Sequence, residues 1–294
     1  MSLIVNAMSV DVEDYFQVSA FEKVVARADW TRFESRVVGN THRLLEVFQR
    51  HGVRSTFFIL GWVAERFPSL VKEIAMLGHE VASHGFNHEL VYSLTPDEFR
   101  EDVRRAKRTI EDAAGCAVRG YRAPSFTVVK NSLWALDVLI EEGHEYDASI
   151  FPIHHDRYGI PDAQRHAHVI QRPAGRIVEV PGSTARLAGT NVPIAGGGYF
   201  RLLPYAWTRW GIKRVNEVEQ KPVTFYLHPW EIDPHQPRFA VGRTTALRHY
   251  TGLAATQSRL ERLLQDFRFD AIDAVLTERA AECGSPLPGL AYAR

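Results

Sequence analysis

Leu3-Ile4-Val5-Asn6-Ala7-Met8-Ser9-Val10-Asp11-Val12-Glu13-Asp14 runs an apolar, β-branched stretch straight into three acids. Leu3 to Val12 reads as a buried strand, so carboxylates stand at a strand's C-terminal end. The same strand-then-helix alternation repeats downstream. Asn40 to Arg50 has helical periodicity and stops at Gly52, and Ser55-Thr-Phe-Phe-Ile-Leu60 reads as a buried strand. A helix from about Ser69 to Leu77 closes at Gly78 and leads into a strand, Glu80 to Ser83. Thr95-Pro96-Asp97-Glu98 is a capping box with proline at the first helical position, opening a long helix that ends near Gly115. Further strands are expected at Arg119 to Arg122, Glu145 to Ala148, Ile177 to Val180 and Val223 to Leu227, with a helix over Ser132 to Glu142. Repeated βα units favour an α/β fold in which helices cover a parallel sheet, barrel-like or doubly wound.

The stretch from Ser149 to Gly175, rich in His and Pro, has no clear period and is expected to be a long loop over the strands' C-terminal face. After His228 the tail begins Pro-rich (Pro229, Pro234, Pro237) and carries a helix from about Leu253 to Phe267. With no internal repeat or linker, one domain over 1–294 with a C-terminal extension over 229–294 is the economical reading.

The 294 residues are 45% hydrophobic and 24% charged, an ordinary globular composition that makes disorder a poor reading. Lys+Arg and Asp+Glu both number 35, so no net field draws the chain to nucleic acid or an anionic membrane, and a neutral carbohydrate partner is compatible. Cys116 and Cys283 are too few for a disulfide framework and read as free thiols in a reducing compartment. The N-terminus lacks the basic region and cleavage site of a signal peptide, and no apolar run is long enough to span a membrane. A soluble, cytoplasmic protein is expected.

His84-Gly85-Phe86-Asn87-His88 follows a strand and sets two imidazoles four residues apart, a spacing that lets both reach one ion. Taken alone, such a pair is more often a solvated loop. The acids at the end of an earlier strand change the balance, because parallel strands bring their C-terminal ends to one face. Two histidines and a carboxylate make an open metal site with room for water and a substrate oxygen.

With these motifs the sequence resembles the polysaccharide deacetylases of the NodB-homology class, the carbohydrate esterase family that includes chitin and peptidoglycan deacetylases. The resemblance covers about Ser9 to Pro229. Its ordered motifs match Asp11-Val-Glu13-Asp14, His84 to His88, Arg122-Ala-Pro124, Asp147-Ala-Ser149 and Leu227-His228. The wording Asp11-Val-Glu-Asp-Tyr-Phe and Leu227-His-Pro-Trp-Glu looks most like the branch associated with exopolysaccharide export clusters. The resemblance implies a distorted, incomplete (β/α) barrel and hydrolysis of N-acetyl groups on an N-acetylated glycan or a carrier-linked sugar. It implies a divalent ion, best Zn2+, with Co2+, Ni2+, Mn2+ or Fe2+ also suited to the donors, held by Asp14, His84 and His88. A carboxylate takes a proton from water and His228 protonates the leaving nitrogen. Arg122 orients the basic carboxylate, and Asp147 holds His228 in its charged form.

In one respect the chain departs from the family, whose adjacent acidic pair is here spread over three acids. Asp11 and Glu13 share a strand face and Asp14 points the other way. If the strand ends before Glu13, Glu13 and Asp14 act as base and ligand. If it continues, Asp11 is the base and Glu13 the ligand. The preferred assignment takes Asp14 as ligand and Asp11 as base.

Core packing explains Tyr15, Phe16, Phe21, Trp30 and Phe33 better than sugar stacking does. For Trp230 and Glu231 a substrate contact and a structural role weigh equally. Gly196-Gly-Gly198 lacks the P-loop lysine and reads as a flexible loop, and His154, His155, His166 and His168 read as surface residues. No G-x-S-x-G elbow surrounds Ser183, which argues against serine hydrolase chemistry. Two other functions stay open: an amidohydrolase acting on a small cyclic amide or ureide, and a non-catalytic carbohydrate-binding protein. The joint presence of the acids, the histidine pair, Arg122 and His228 argues against the latter.

Overall fold

Val5–Val12 forms strand β1 and is buried from Asn6 onward, as a central parallel strand covered on both faces must be. The computed structural model describes residues 4–282. Leu3 and Cys283 therefore lie outside the described residues. After β1 come α1 (Val37–His51), β2 (Thr56–Ile59), α2 (Gly61–Arg66), α3 (Pro68–Met76), β3 (Glu80–Ser83) and α4 (Pro96–Ala114). Next are β4 (Gly120–Tyr121), α5 (Ala135–Glu141), β5 (Tyr146–Asp147), β6 (His168–Arg172), β7 (Gly175–Glu179), β8 (Thr184–Leu187) and β9 (Thr190–Pro193). The chain continues through α6 (Gly197–Leu202), α7 (Tyr205–Lys213), β10 (Thr224–Leu227), α8 (Arg243–Tyr250), α9 (Leu253–Asp266), β11 (Arg268–Asp270) and α10 (Ile272–Glu282).

Nine strands make one sheet in the order β10-β1-β2-β3-β4-β5-β7-β6, with β11 also on β1. All pairings are parallel except β6 on β7. The path opens at β10 and β6, and no pairing among the described residues closes it. This is an α/β fold with an incomplete barrel. Parallel direction brings the ends of β1, β3, β4, β5 and β10, and so Asp11, His84, Arg122, Asp147 and His228, to one rim.

One face of the sheet (Val10, Phe57, Ile59) packs beneath Leu44 and Phe48 of α1 and Leu70 and Ile74 of α3. On the other, Ala7, Phe58, Ala82 and Tyr146 pack with Ile272 and Leu276 of α10. The capping box forms as expected: Glu98 N donates to Thr95 Oγ1 at 3.3 Å and Thr95 N to Glu98 Oε2 at 2.8 Å. Gly115, at φ 71°, ends α4 in the left-handed region glycine enters freely.

Two expectations need correction. The stretch Ser149 to Gly175 is not all loop, since β6 lies inside it as the sheet's edge strand. Its residues alternate between half-buried and exposed, too weak an apolar pattern to register as a strand. The β8–β9 hairpin and β11 were likewise short enough to escape notice. Gly196 and Gly197 are not a loose loop: a side-chain carbon at either would meet Tyr226 at 2.1 Å and 2.4 Å respectively. Their glycine character is a matter of close approach to β10.

Candidate metal centre

Glu13, His84 and His88 each offer one donor atom within 4.8 Å of the other two, and all three side chains are buried. His84 leaves β3 with its Nδ1–H donating to the Arg122 carbonyl at 2.8 Å, which leaves Nε2 as the free donor nitrogen. Burial lowers the His84 pKa to about 4, so the ring is neutral and able to bind a cation at neutral pH. His88 Nε2 lies 2.7 Å from Glu13 Oε2. Burial by itself would raise Glu13, but the His88 and His228 rings beside it outweigh that and hold its carboxyl well below the usual range.

The turn between the histidines is tightly held. Gly85 has φ 74° and His88 itself φ 54°, a conformation costly for a residue with a side chain. Asp102 of α4 accepts from Phe86 N at 2.9 Å and Asn87 N at 3.3 Å. Arg27 donates to the carbonyls of Asn87 at 2.9 Å and His88 at 3.2 Å. Neither Asp102 nor Arg27 belongs to a sequence motif, and nothing in the local pattern marks them.

Asp14 is not brought to the histidines, and the preference for it as ligand is corrected. Its Oδ2 accepts from Ser35 Oγ at 2.6 Å, Arg36 N at 2.9 Å and Val37 N at 3.1 Å, and Oδ1 from Tyr15 N at 3.0 Å. That carboxylate closes the N–H groups at the start of α1 and is directed there instead of toward the histidines. β1 ends at Val12, before Glu13, the case in which the sequence reading paired Glu13 with Asp14. The Glu13 N–H turns back to the Asp11 carbonyl at 3.0 Å, and it is Glu13 with Asp11, not with Asp14, that faces the His228 ring.

Asp11 Oδ1 accepts from Arg122 Nη1 at 2.6 Å. Arg122 is almost fully buried, donates further to Ser9 Oγ at 2.8 Å and the Ala148 carbonyl at 3.2 Å, and lies 4.1 Å over the Phe58 ring. His228, just past β10, places Nε2 at 3.5 Å from Glu13 Oε1 and 3.9 Å from Asp11 Oδ2. Trp230 stacks on the His228 ring, centroids 5.1 Å apart, and its Nε1–H donates to Glu13 Oε1 at 3.1 Å. Burial opposes a charge on His228, yet Glu13 and then Glu231 raise its pKa to about 9.

Asp147 does not touch His228. It lies in register with Glu179 across β5 and β7, and its Oδ1 accepts from Ser149 Oγ. Burial raises its carboxyl above the usual range. The carboxylate beside the His228 ring is Glu231, 3.2 Å from Nδ1. Tyr15, Phe16, Phe21 and Trp30 are buried together with Trp230, as core packing required. Cys116 is free and exposed.

Glu13, His84 and His88 thus form a group at the open rim of a parallel sheet that could hold a metal ion. The family described as Polysaccharide deacetylase matches residues 28–139, and a domain of unknown function, DUF3473, matches residues 148–277. A peptidoglycan-N-acetylglucosamine deacetylase from Bacillus cereus is 34% identical over 98 residues, 33% of this chain and 36% of that protein. A peptidoglycan deacetylase from Helicobacter pylori is 33% identical over 39% of this chain and 37% of its own length. The matched segments thus span little more than a third of those relatives. A Mycobacterium smegmatis structure described as a polysaccharide deacetylase superposes with TM-score 0.59 at 18% identity, covering 100% of this chain and 97% of that one, a likeness of fold. Over residues 28–139, then, the chain is similar to the polysaccharide deacetylases.

Proposed function

We propose that the chain is a metal-dependent hydrolase that removes N-acetyl groups from an acetamido-sugar polysaccharide or its carrier-linked precursor. The observation that carries this reading is the convergence of Glu13, His84 and His88 within 4.8 Å, next to Asp11 and His228. The donor set suits a cation: two imidazoles and a carboxylate whose buried Oε2 makes no hydrogen bond of good geometry. Zinc fits these donors best. A divalent ion there would polarise the acyl carbonyl and acidify a water.

Asp11, locked by Arg122, is the base that takes the proton of the attacking water, its second oxygen being free of the guanidinium. His228 delivers a proton from Nε2 to the departing nitrogen, without which an amine is a poor leaving group. Trp230 excludes water from one face of that ring. The family relatives named for N-acetylglucosamine deacetylation support an acetamido sugar as substrate. We read residues 1–294 as one catalytic unit, since the C-terminal part places β11 on β1 and Trp230 on Glu13. Among the described residues no helix is long and apolar enough to cross a membrane.

Elemental analysis of the purified protein beside His84→Ala/His88→Ala tests the centre: about one transition metal per chain is expected, and near none in the variant. Acetate release from N-acetylglucosamine oligomers, set against ring opening of cyclic ureides, tests the substrate class. A wild type that takes up no zinc, cobalt or manganese would overturn the mechanism.

A further inference from the structure

His228 is held by a carboxylate from its own turn. Residues Pro229–Ile232 make one tight helical turn, closed by Glu231 N donating to the His228 carbonyl at 3.0 Å. That brings Glu231 back under the residue three before it, where Oε2 accepts from the His228 backbone N at 3.0 Å and lies 3.2 Å from ring Nδ1. The other oxygen, Oε1, accepts from Arg201 Nε at 2.6 Å. Arg201 is 4% exposed and Glu231 1%. Arg201 is fixed in turn by donating Nη1 to the carbonyls of His249 at 2.7 Å and Thr251 at 2.9 Å. Gly252 lets that segment approach, for a side-chain carbon there would meet the Arg201 carbonyl at 2.5 Å. Trp230 completes the frame, stacked between the His228 and His249 rings at 5.1 Å and 4.3 Å.

With Nδ1 facing Glu231, the one ring nitrogen directed at the rim is Nε2. A buried ion pair contributes little net stability, because desolvation offsets the attraction. It does impose geometry. We propose that Glu231, itself anchored by Arg201, is the positioning residue for His228, fixing the ring so that Nε2 faces the leaving nitrogen. Glu231 thereby takes the part that sequence reasoning gave to Asp147. The inference rests on the reading of His228 as the proton donor.

The test uses the full chain loaded with zinc, carrying Glu231→Ala or the shape-preserving Glu231→Gln. Hydrolysis of an N-acetylglucosamine oligomer is compared with that of 4-nitrophenyl acetate, whose phenolate leaves without a proton. Removing a general acid's alignment should cut amide cleavage about 100-fold in Glu231→Ala and about tenfold in Glu231→Gln, with ester cleavage within about threefold of wild type. Zinc content should be unchanged. The 15N resonances of the His228 ring, assigned by their loss in His228→Gln, should shift in both variants, with or without zinc. Equal loss of amide and ester cleavage, or ring resonances left at their wild-type positions in both variants, would overturn the proposal. If the wild type cleaves neither substrate, the deacetylase reading falls, and the ring resonances still decide whether Glu231 sets the imidazole.

Discussion

Two pairs of buried acids sit on the same sheet, and their surroundings make them chemically opposite. Asp11 and Glu13 at the end of β1 face Arg122, His88 and His228. Asp147 and Glu179, side by side on β5 and β7, hydrogen-bond to each other, while Ser149 Oγ donates to Asp147 and the Ile150 N–H to Glu179. Burial acts on both pairs. In the first, neighbouring imidazoles overcome it and keep Glu13 ionised. In the second, burial and the closeness of Asp147 push Glu179 well above the ordinary carboxylate range. A buried acid becomes a ligand or base through the cations around it, and a protonated structural group without them.

The largest effect should come from neutralising the acid nearest the histidines. Glu13→Gln should lower bound zinc to below about a tenth per chain, and Asp14→Asn should retain it while weakening the start of α1 by about 1 kcal/mol. Elemental analysis and denaturant titration read both, and the reverse pattern would return the ligand role to Asp14. Asp11→Asn should keep the metal and cut acetate release by about 100-fold or more, the usual worth of a general base. Asp147→Asn, on the other side of the comparison, should leave acetate release within about threefold. A 100-fold loss there would bring Asp147 into the chemistry and erase the contrast.

The smallest effect concerns an acid outside both pairs. Glu80, which accepts from Tyr146 Oη at 2.8 Å and Asp273 N at 3.1 Å, has its pKa raised by burial and then by Asp273 from 4.5 to about 7. A raised carboxyl is protonated in the folded chain while the unfolded one ionises, so its contribution to stability is greatest below pH 4.5 and is lost as pH rises through about 7. Glu80→Gln should flatten that decline between about pH 5 and pH 8, read as urea midpoints. An unchanged slope would mean that Glu80 ionises freely in the fold.

Much of this was legible in the residues. β1, the capping box of α4 and the His84–His88 pair are local patterns whose physics is complete within a few positions. Choosing among Asp11, Glu13 and Asp14 was not local, because Asp14 is spent on Ser35, Arg36 and Val37, a contact made only once α1 has docked. Glu231 was visible beside His228, but its partner Arg201 lies 30 positions earlier. Asp102 and Arg27 hold the histidine turn from separate elements and carry no pattern of their own. Edge strand β6 was hidden because its residues are half-exposed and polar.

The pairing of β1 bears on the order of manufacture. Ala7 joins Thr224 and Val5 joins Arg268, so the strand made first acquires these neighbours near the end of synthesis. At ribosomal speeds that is a wait of about ten to fifty seconds, and such distant pairings also slow folding itself. Glu13, His84 and His88 all emerge long before His228. The three residues proposed to hold the cation are therefore made well before the proposed proton donor, and the strand that bounds their rim has its full set of neighbours only once the chain is nearly complete.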